Sequence, residues 1–311
     1  MLNIALLGAT SHVAKSLIRH IDRKIFRLSL YARDLKKLSD WLATSGIEHI
    51  EEFDLCSLKA FPEGKKFDGI VNCIGYGTPT KVRAAGVELF LLTEHWDNIV
   101  LQYLIENRSC IYVNFSSGAV YGTDHTSPID ESSLFDMKLN PIEDKQFYRV
   151  AKLASEAKHR ACAQYSIWDI RLFSFFSRDI DVSSTYLLTD MVNAVQKRTP
   201  FVTNRTEVIR DYIHPKDLTK LVQSCLRNPN HNGSIDTRSL LPITKTELID
   251  LFVRNFQMEV KIDGKEIEVS PTGTKAVYYS VNKNWDSVLG WSPTYTSEQA
   301  VLEEVKFLFV G

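Results

Sequence analysis

From Ile4 to Leu17 the chain reads "IALLGATSHVAKSL". The apolar run reads as a buried strand, Gly8 as a turn and "HVAKSL" as the opening of a helix. Strand, tight turn and helix in that order begin many dinucleotide sites in doubly wound α/β proteins. In the usual fingerprint three glycines permit the turn, the close approach of a pyrophosphate, and the packing of helix on strand. Gly8 keeps the first role, and Ala14 fills the third, where alanine is tolerated. Ser11 is the departure: either the pyrophosphate sits farther out, or the serine hydroxyl donates to it. Alone, the stretch reads equally as an ordinary turn or as a cofactor loop with Gly8, Thr10, Ser11, His12 and Val13 at the phosphates.

The same alternation continues outward. Apolar runs "NIALLG", "RLSLYA", "EFDLCSL", "FDGIVNCIG", "CIYVNFSS" and "SIWDIRLFSFF" are separated by stretches of helical spacing such as "HVAKSLIRHI", "DLKKLSDWLATSG" and "LTEHWDNIVLQYLIEN". Strands alternating with helices predict a parallel sheet covered on both faces, with right-handed crossovers. The expected class is α/β, a Rossmann-type doubly wound parallel sheet over residues 1–176 to which 205–235 return. A smaller mixed α/β substrate domain is expected over 177–311, where strand candidates become short and irregular ("KIDGKEIEVS", "AVYYSVN") with turns at Asp263-Gly264 and Pro271 to Gly273. No repeat or low-complexity linker interrupts the chain.

The 311 residues are enough for a large domain with a smaller partner. A net charge of −1 with 24% charged residues provides no basic field for nucleic acid. The five cysteines, Cys56, Cys73, Cys110, Cys162 and Cys225, are scattered and form no C-x-x-C pair, so no metal is expected and a reducing cytoplasm fits best. No apolar run approaches the roughly 18 residues of a membrane span, and the start lacks the features of a signal peptide. The expected partners are small molecules, with no nucleic acid and no membrane.

The ends of the next strands read the rest of a dinucleotide. After "LSLY" and Ala32 stands Arg33, whose guanidinium suits a 2′-phosphate and so favours NADP, with NAD remaining possible; the other reading is a solvent-facing residue at a helix start. "EFDLCSL" puts Asp54, with Leu55, at the end of the third strand, either to accept the adenine amino group or to cap a turn. "IVNCIGYG" ends the fourth strand with Cys73 and Gly75, where backbone passes beside a dinucleotide.

"QFYRVAKLASEAK" sets Tyr148 and Lys152 four apart on one helical face. A tyrosine is a poor acid or base near neutrality until a neighbouring ammonium favours its phenolate, and such a pair suits proton transfer at an alcohol or carbonyl oxygen. The same spacing recurs in "YIHPK" and "YSVNK", but Pro215 breaks the one as a helix interior and the other lies in a strand-like run. "YVNFSSGAVYG" ends a strand at Ser116 and Ser117, on the sheet edge where open α/β sheets bind ligands, although strand-end serines also form turns.

Together "GATSHVAKSL", "SSGAVYG", "YRVAK", "RDYIHPKDL", "DIRLFSFFS" and "VLGWSPTYTSEQAVLEEV" resemble the extended short-chain dehydrogenase/reductase family, especially its nucleotide-sugar epimerases, dehydratases and 4-ketoreductases. The resemblance runs nearly end to end. It implies Tyr148 as acid/base, Lys152 as its activator and a cofactor contact, and Ser117 as the active-site serine three residues before the valine of "VYG". It also implies substrate contacts at Ser117, Gly118, Ser174 and Arg210, the last on the substrate diphosphate.

Departures narrow the implied chemistry. Dehydratases of the family carry an aspartate-glutamate pair after the active-site residue, where this chain has Gly118 and Ala119. Epimerase-reductases use a cysteine there and a histidine after the sixth strand, in whose place stands roughly Asp179. The expected reaction is hydride reduction of a 4-keto-6-deoxy sugar nucleotide, of the kind used in polysaccharide biosynthesis, by a cytoplasmic homodimer with Tyr148 as proton donor. A 4-epimerase retaining NAD and a non-catalytic NADP sensor are the alternatives, and Lys81, Arg83 and Arg178 are further candidate linings.

Overall fold

A computed structural model describes residues 1–122, 126–135, 137, 140, 142–263 and 276–309. The expected turn from Pro271 to Gly273 and most of "KIDGKEIEVS" lie outside those residues. The first half contains β1 (Leu2–Leu7), α1 (His12–His20), β2 (Phe26–Ala32), α2 (Leu35–Thr44), β3 (Asp54–Ser57), β4 (Gly69–Asn72), α3 (Pro79–Ala85), α4 (Glu88–Glu106), β5 (Ile111–Ser117), α5 (Asp144–Ala161) and β6 (Ile167–Leu172). The strand Asn232–Asp236 joins them in one sheet ordered Asn232–Asp236, β6, β5, β4, β1, β2, β3. Every pairing in it is parallel. This is a Rossmann-type doubly wound sheet, and its order reverses between β1 and β4, where such folds open a ligand crevice.

The strands read as continuous apolar runs because both faces are buried. Along β1, Ile4 and Leu6 enter the core shared with Leu17, Leu38 and Leu221, while Ala5 and Leu7 enter the opposite core with Ile70, Val100 and Leu104. α4 starts at Glu88, ahead of the stretch "LTEHWDNIVLQYLIEN", because Gly86 at φ +52° ends α3 and lets the chain restart.

The later chain adds α6 (Leu187–Lys197), α7 (Pro215–Cys225), α8 (Lys245–Phe256) and the helix Ser297–Phe309. Leu188, Met191, Val192, Leu248, Phe252, Val301 and Val305 form its own apolar cluster, while α7 packs on α1. Three two-residue strands pair as Ile243–Thr244, Ile209–Arg210, Val277–Tyr278. Among the described residues no helix is long and apolar enough to cross a membrane.

Beneath α5 lies a buried polar layer. His159 is fully buried, with Nε2 2.6 Å from Asp97 and Nδ1 2.9 Å from Asp169. Lys158 also binds Asp97 at 2.6 Å, and Arg160 binds Asp169 at 2.7 Å. Burial pushes the imidazole down, but hydrogen bonds to Asp169 and Asp97 outweigh it and hold His159 at about 9, so the ring is a cation. Its stabilising contribution is complete below the unfolded histidine value of about 6.5 and is lost as pH rises through about 9, a difference on the order of 3 kcal/mol. Urea unfolding of the parent should therefore show stability falling across that window, and His159→Gln, less stable at neutral pH, should show a shallower fall.

Candidate active site

Gly8 stands where β1 leaves the sheet, at φ +76°. A β-carbon there would lie 3.1 Å from the backbone carbon and oxygen of Cys73, so both conformation and space require glycine. The Gly8 amide donates to Tyr31 O at 3.0 Å, and Cys73 N donates to Leu7 O at 3.0 Å, which fixes the loop at the crossing of β1, β2 and β4. Ser11 needs no glycine freedom. It is the N-cap of α1 in an extended conformation, its hydroxyl accepting from Ala14 N at 3.3 Å. The first turn of α1 carries no acid, so its N-terminal amides still favour an anion.

His12 sends its side chain away from the loop: Nε2 is 2.8 Å from Ser177 Oγ, and the ring packs 4.8 Å from Phe175. Burial lowers it to about 4, against the attraction of Asp179, so the ring is neutral and ties the loop to the segment after β6. Thr10 is half-buried, and Val13 packs on the core.

Arg33 follows β2 and is exposed, while Asp34 caps α2 through Lys37 N at 2.9 Å. The placement of Asp54 departs from the sequence reading. It is the first residue of β3 and not the last, because Ile50–Glu52 form a 3-10 turn that delays the strand. Asp54 pairs in register with Ser29, three positions back from the edge, where Ala32 faces Ser57. Its carboxylate is bound by Lys65 and accepts from Ser29 at 3.2 Å, so it is held within the sheet. Leu55 is partly exposed. The Cys73 thiol is buried, which pushes it well above the usual thiol range, and a β-carbon on Gly75 would meet nothing within 4 Å.

Ser117 ends β5, and Ser117 Oγ accepts from Ala119 N at 3.1 Å. A β-carbon on Gly118 would stand 2.6 Å from the Phe173 ring, so that ring forbids a side chain at 118. α5 carries Tyr148 and Lys152. The Lys152 ammonium is buried, donates to Phe115 O at 2.8 Å and lies 6.0 Å from the centre of the Tyr148 ring. One turn on, Glu156 accepts from Ser116 at 2.5 Å and pairs with Arg171.

Ser174 lies beyond β6, paired in register with Tyr212. Arg210 is largely buried, its guanidinium 6.0 Å from the Tyr278 ring. Tyr278 pairs in register with Arg210, and its ring packs 5.0 Å from Phe173, the ring that stands over Gly118, which brings the Arg210 strand near the end of β5. Tyr186 joins from another direction, donating to Gly77 O at 2.6 Å. Sequence reasoning passed over Glu156, Tyr186 and Tyr278. The spacing of Glu156 from Lys152 shows it on the same face, whereas the tyrosines arrive through long-range folding that no local pattern marks.

Lys81 and Arg83 are exposed on α3. Arg178 is paired with Glu304 at 2.7 Å and stacked on Phe307, which packs it on Ser297–Phe309, and Asp179 is held by Arg19 and Trp41, which ties the segment after β6 to α1 and α2. Ligand atoms of His214, Glu303 and Glu304 come within 4.8 Å of one another. Nδ1 of His214 accepts from Lys216 N, so the neutral ring keeps its proton on Nε2, the atom facing Glu303. Lys216 and Arg178 hold the two carboxylates, which makes this an ion-pair network fastening Ser297–Phe309 to α7.

Gly8, Arg33 and Ser117 thus stand at the C-terminal ends of β1, β2 and β5, with Lys152 tied to Phe115 O and 6.0 Å from the centre of the Tyr148 ring, on the side of the sheet where doubly wound folds bind dinucleotides. The profile of the NAD dependent epimerase/dehydratase family matches residues 4–236. No curated protein sequence matches the chain. Among solved structures it is similar to a UDP-glucose-4-epimerase from Stenotrophomonas maltophila, 15% identical over 99% of this chain and 98% of that one, with TM-score 0.81. It is similar also to a UDP-N-acetylglucosamine 4-epimerase from Methanobrevibacter ruminantium M1, 16% identical over 99% and 98%, TM-score 0.80. A dTDP-glucose 4,6-dehydratase from Bacillus anthracis str. Ames is 12% identical over 99% and 97%, TM-score 0.77. At these identities the structures show the common fold, and the profile covers the glycine turn, the Tyr148 helix and the returning strand. On that match the chain belongs to the NAD dependent epimerase/dehydratase family and is an enzyme of the extended short-chain dehydrogenase/reductase type.

Proposed function

We propose that this enzyme reduces the 4-keto group of a nucleotide-linked 6-deoxy sugar with NADPH, using Tyr148 as proton donor and Ser117 to orient the carbonyl oxygen. The observation that carries the reading is the enforced glycine at 118, where the Phe173 ring leaves no room for a side chain. Abstraction of a proton beside the ketone, or expulsion of water, needs a further acid or base at that point. Without one, the set reduces to a proton donor, its ammonium neighbour and an orienting hydroxyl, which is sufficient for hydride transfer at a single carbon.

The residues present suit the cofactor. A β-carbon would fill the cradle at Gly8, Gly75 stands beside open space, and the first turn of α1 has no acid to repel phosphate. Gly8, the amides of His12 and Val13, Arg33 and Lys152 would hold it, and when bound it supplies the hydride. As the proton leaves Tyr148, charge grows on the phenol oxygen, and the buried Lys152 ammonium, fixed by Phe115 O, stabilises that charge. Arg33, exposed at the end of β2, would pair with a 2′-phosphate. A 4-epimerase retaining NAD is the second reading, favoured by Arg210 near the catalytic edge and by the names of the similar epimerases. Protein that emerges free of nucleotide and consumes NADPH stoichiometrically supports the reductase, whereas tightly held NAD with no need of added cofactor supports the epimerase.

Tyr148→Phe should lower kcat for NADPH oxidation by about 10²-fold or more with little change in cofactor affinity; a rate equal to the parent's would remove Tyr148 as proton donor. Arg33→Ala should weaken NADPH binding by about tenfold and leave NADH binding unchanged, as read by fluorescence titration. Ser11→Gly should cost only a few tenths of a kcal/mol in the helix cap and tighten NADP binding by freeing the Ala14 amide, and weaker binding would show the hydroxyl to be a phosphate ligand.

A further inference from the structure

The Arg171 guanidinium holds two parts of the site at once. Arg171 lies on β6, in register with Ser116. Its Nε and Nη2 grip the Glu156 carboxylate at 3.0 and 2.5 Å, while Nη1 donates to the Tyr121 phenol at 2.6 Å. Glu156 belongs to α5, one turn beyond Lys152, and also accepts from Ser116 at 2.5 Å. Tyr121 ends the 3-10 turn Gly118–Tyr121, which starts from Ser117. The phenol gives its own proton to Asp236 at 3.0 Å, and that buried carboxylate also accepts from Ser280 at 2.6 Å. Tyr121 thus both accepts and donates, and the planar guanidinium fixes the angle between its two partners.

We propose that Tyr121 is a positioning residue for hydride transfer: through Arg171 and Glu156 it locks the turn that begins at Ser117 to the helix that carries Tyr148, and so sets the separation of the orienting hydroxyl from the proton donor. The proposal rests on the roles given above to Ser117 and Tyr148. Ser117 Oγ accepts from Ala119 N at 3.1 Å, inside the same turn, so a displaced turn takes the hydroxyl with it. The phenol oxygen is where the turn meets the clamp, and the ring that carries it stacks on Phe173 at 6.3 Å. Burial, and next the charge of Asp236, raise the phenol well above the ordinary tyrosine range against the lowering influence of Arg171. Tyr121 therefore keeps its proton and acts only through the turn, while Tyr148, next to Lys152, gives up its own.

Two measurements test this on the whole chain. Steady-state NADPH oxidation with a thymidine-diphosphate-linked 4-keto-6-deoxyglucose is compared for the parent, Tyr121→Phe, Ser117→Ala and the double variant. Tyr121→Phe should lower kcat by about ten- to a hundredfold with KM within about twofold, and should cost nothing further once Ser117 is alanine. An unchanged kcat, or losses that multiply in the double variant, would overturn the proposal. Crystal structures of the parent and Tyr121→Phe, which keeps the ring on Phe173, need no turnover: the distance from Ser117 Oγ to the Tyr148 phenol oxygen should change by on the order of 1 Å in the variant. The same distance in both would equally overturn it. If the parent leaves this keto-sugar unreduced, the functional reading fails, while the distance comparison still decides the positioning.

Discussion

Helix α5 meets the sheet with a polar face, and the geometry of the candidate site depends on that contact. From its N-terminal half toward its end, Lys152 donates to Phe115 O, Glu156 takes Ser116 and Arg171, and His159 lies between Asp97 and Asp169. Groups so buried are tolerated only when paired, and removing one partner of such a pair costs on the order of 3–5 kcal/mol. The helix thereby has one register on β5, and that register sets the place of Tyr148, one turn before Lys152. An apolar face would bind α5 as firmly, but it would specify the position less sharply.

The other parts of the site come from distant chain segments and converge on this edge. Gly8 brings β1 against Cys73 at the switch point, and His12 fastens that loop to Ser177. Tyr186 and Tyr278 enter from the later chain, the one bonded to Gly77 O and the other packed on Phe173. Burial raises both phenols well above the ordinary tyrosine range. In the reading proposed here, chemistry is left to the one tyrosine with an ammonium neighbour. Phe173 contributes by exclusion, since its ring keeps position 118 a glycine.

The sheet was legible because strands buried on both faces leave continuous apolar runs, and these alternate with helical spacing along the first half. Tyr148 and Lys152 were legible for a similar reason: four residues on a helix is a local distance. Asp54 was misplaced because one short 3-10 turn at Ile50–Glu52 shifts where β3 begins, and composition carries no mark of it. Ser11 read as a missing glycine, whereas locally it is a helix cap, a role serine performs well. Tyr186, Tyr278 and the pairing of His159 with Asp97 depend on contacts across sixty residues or more, which no periodicity in one segment encodes.

The central claim is a single hydride transfer at one sugar carbon with no second base at work. Reduction of the keto-sugar by NADPH carrying deuterium at the transferable position, followed by NMR of the product, tests it most directly. The account predicts deuterium at C4 of the sugar and, for the reaction run in D2O with unlabelled NADPH, no solvent deuterium on carbon. Solvent deuterium at C3 or C5, or label absent from C4, would contradict it.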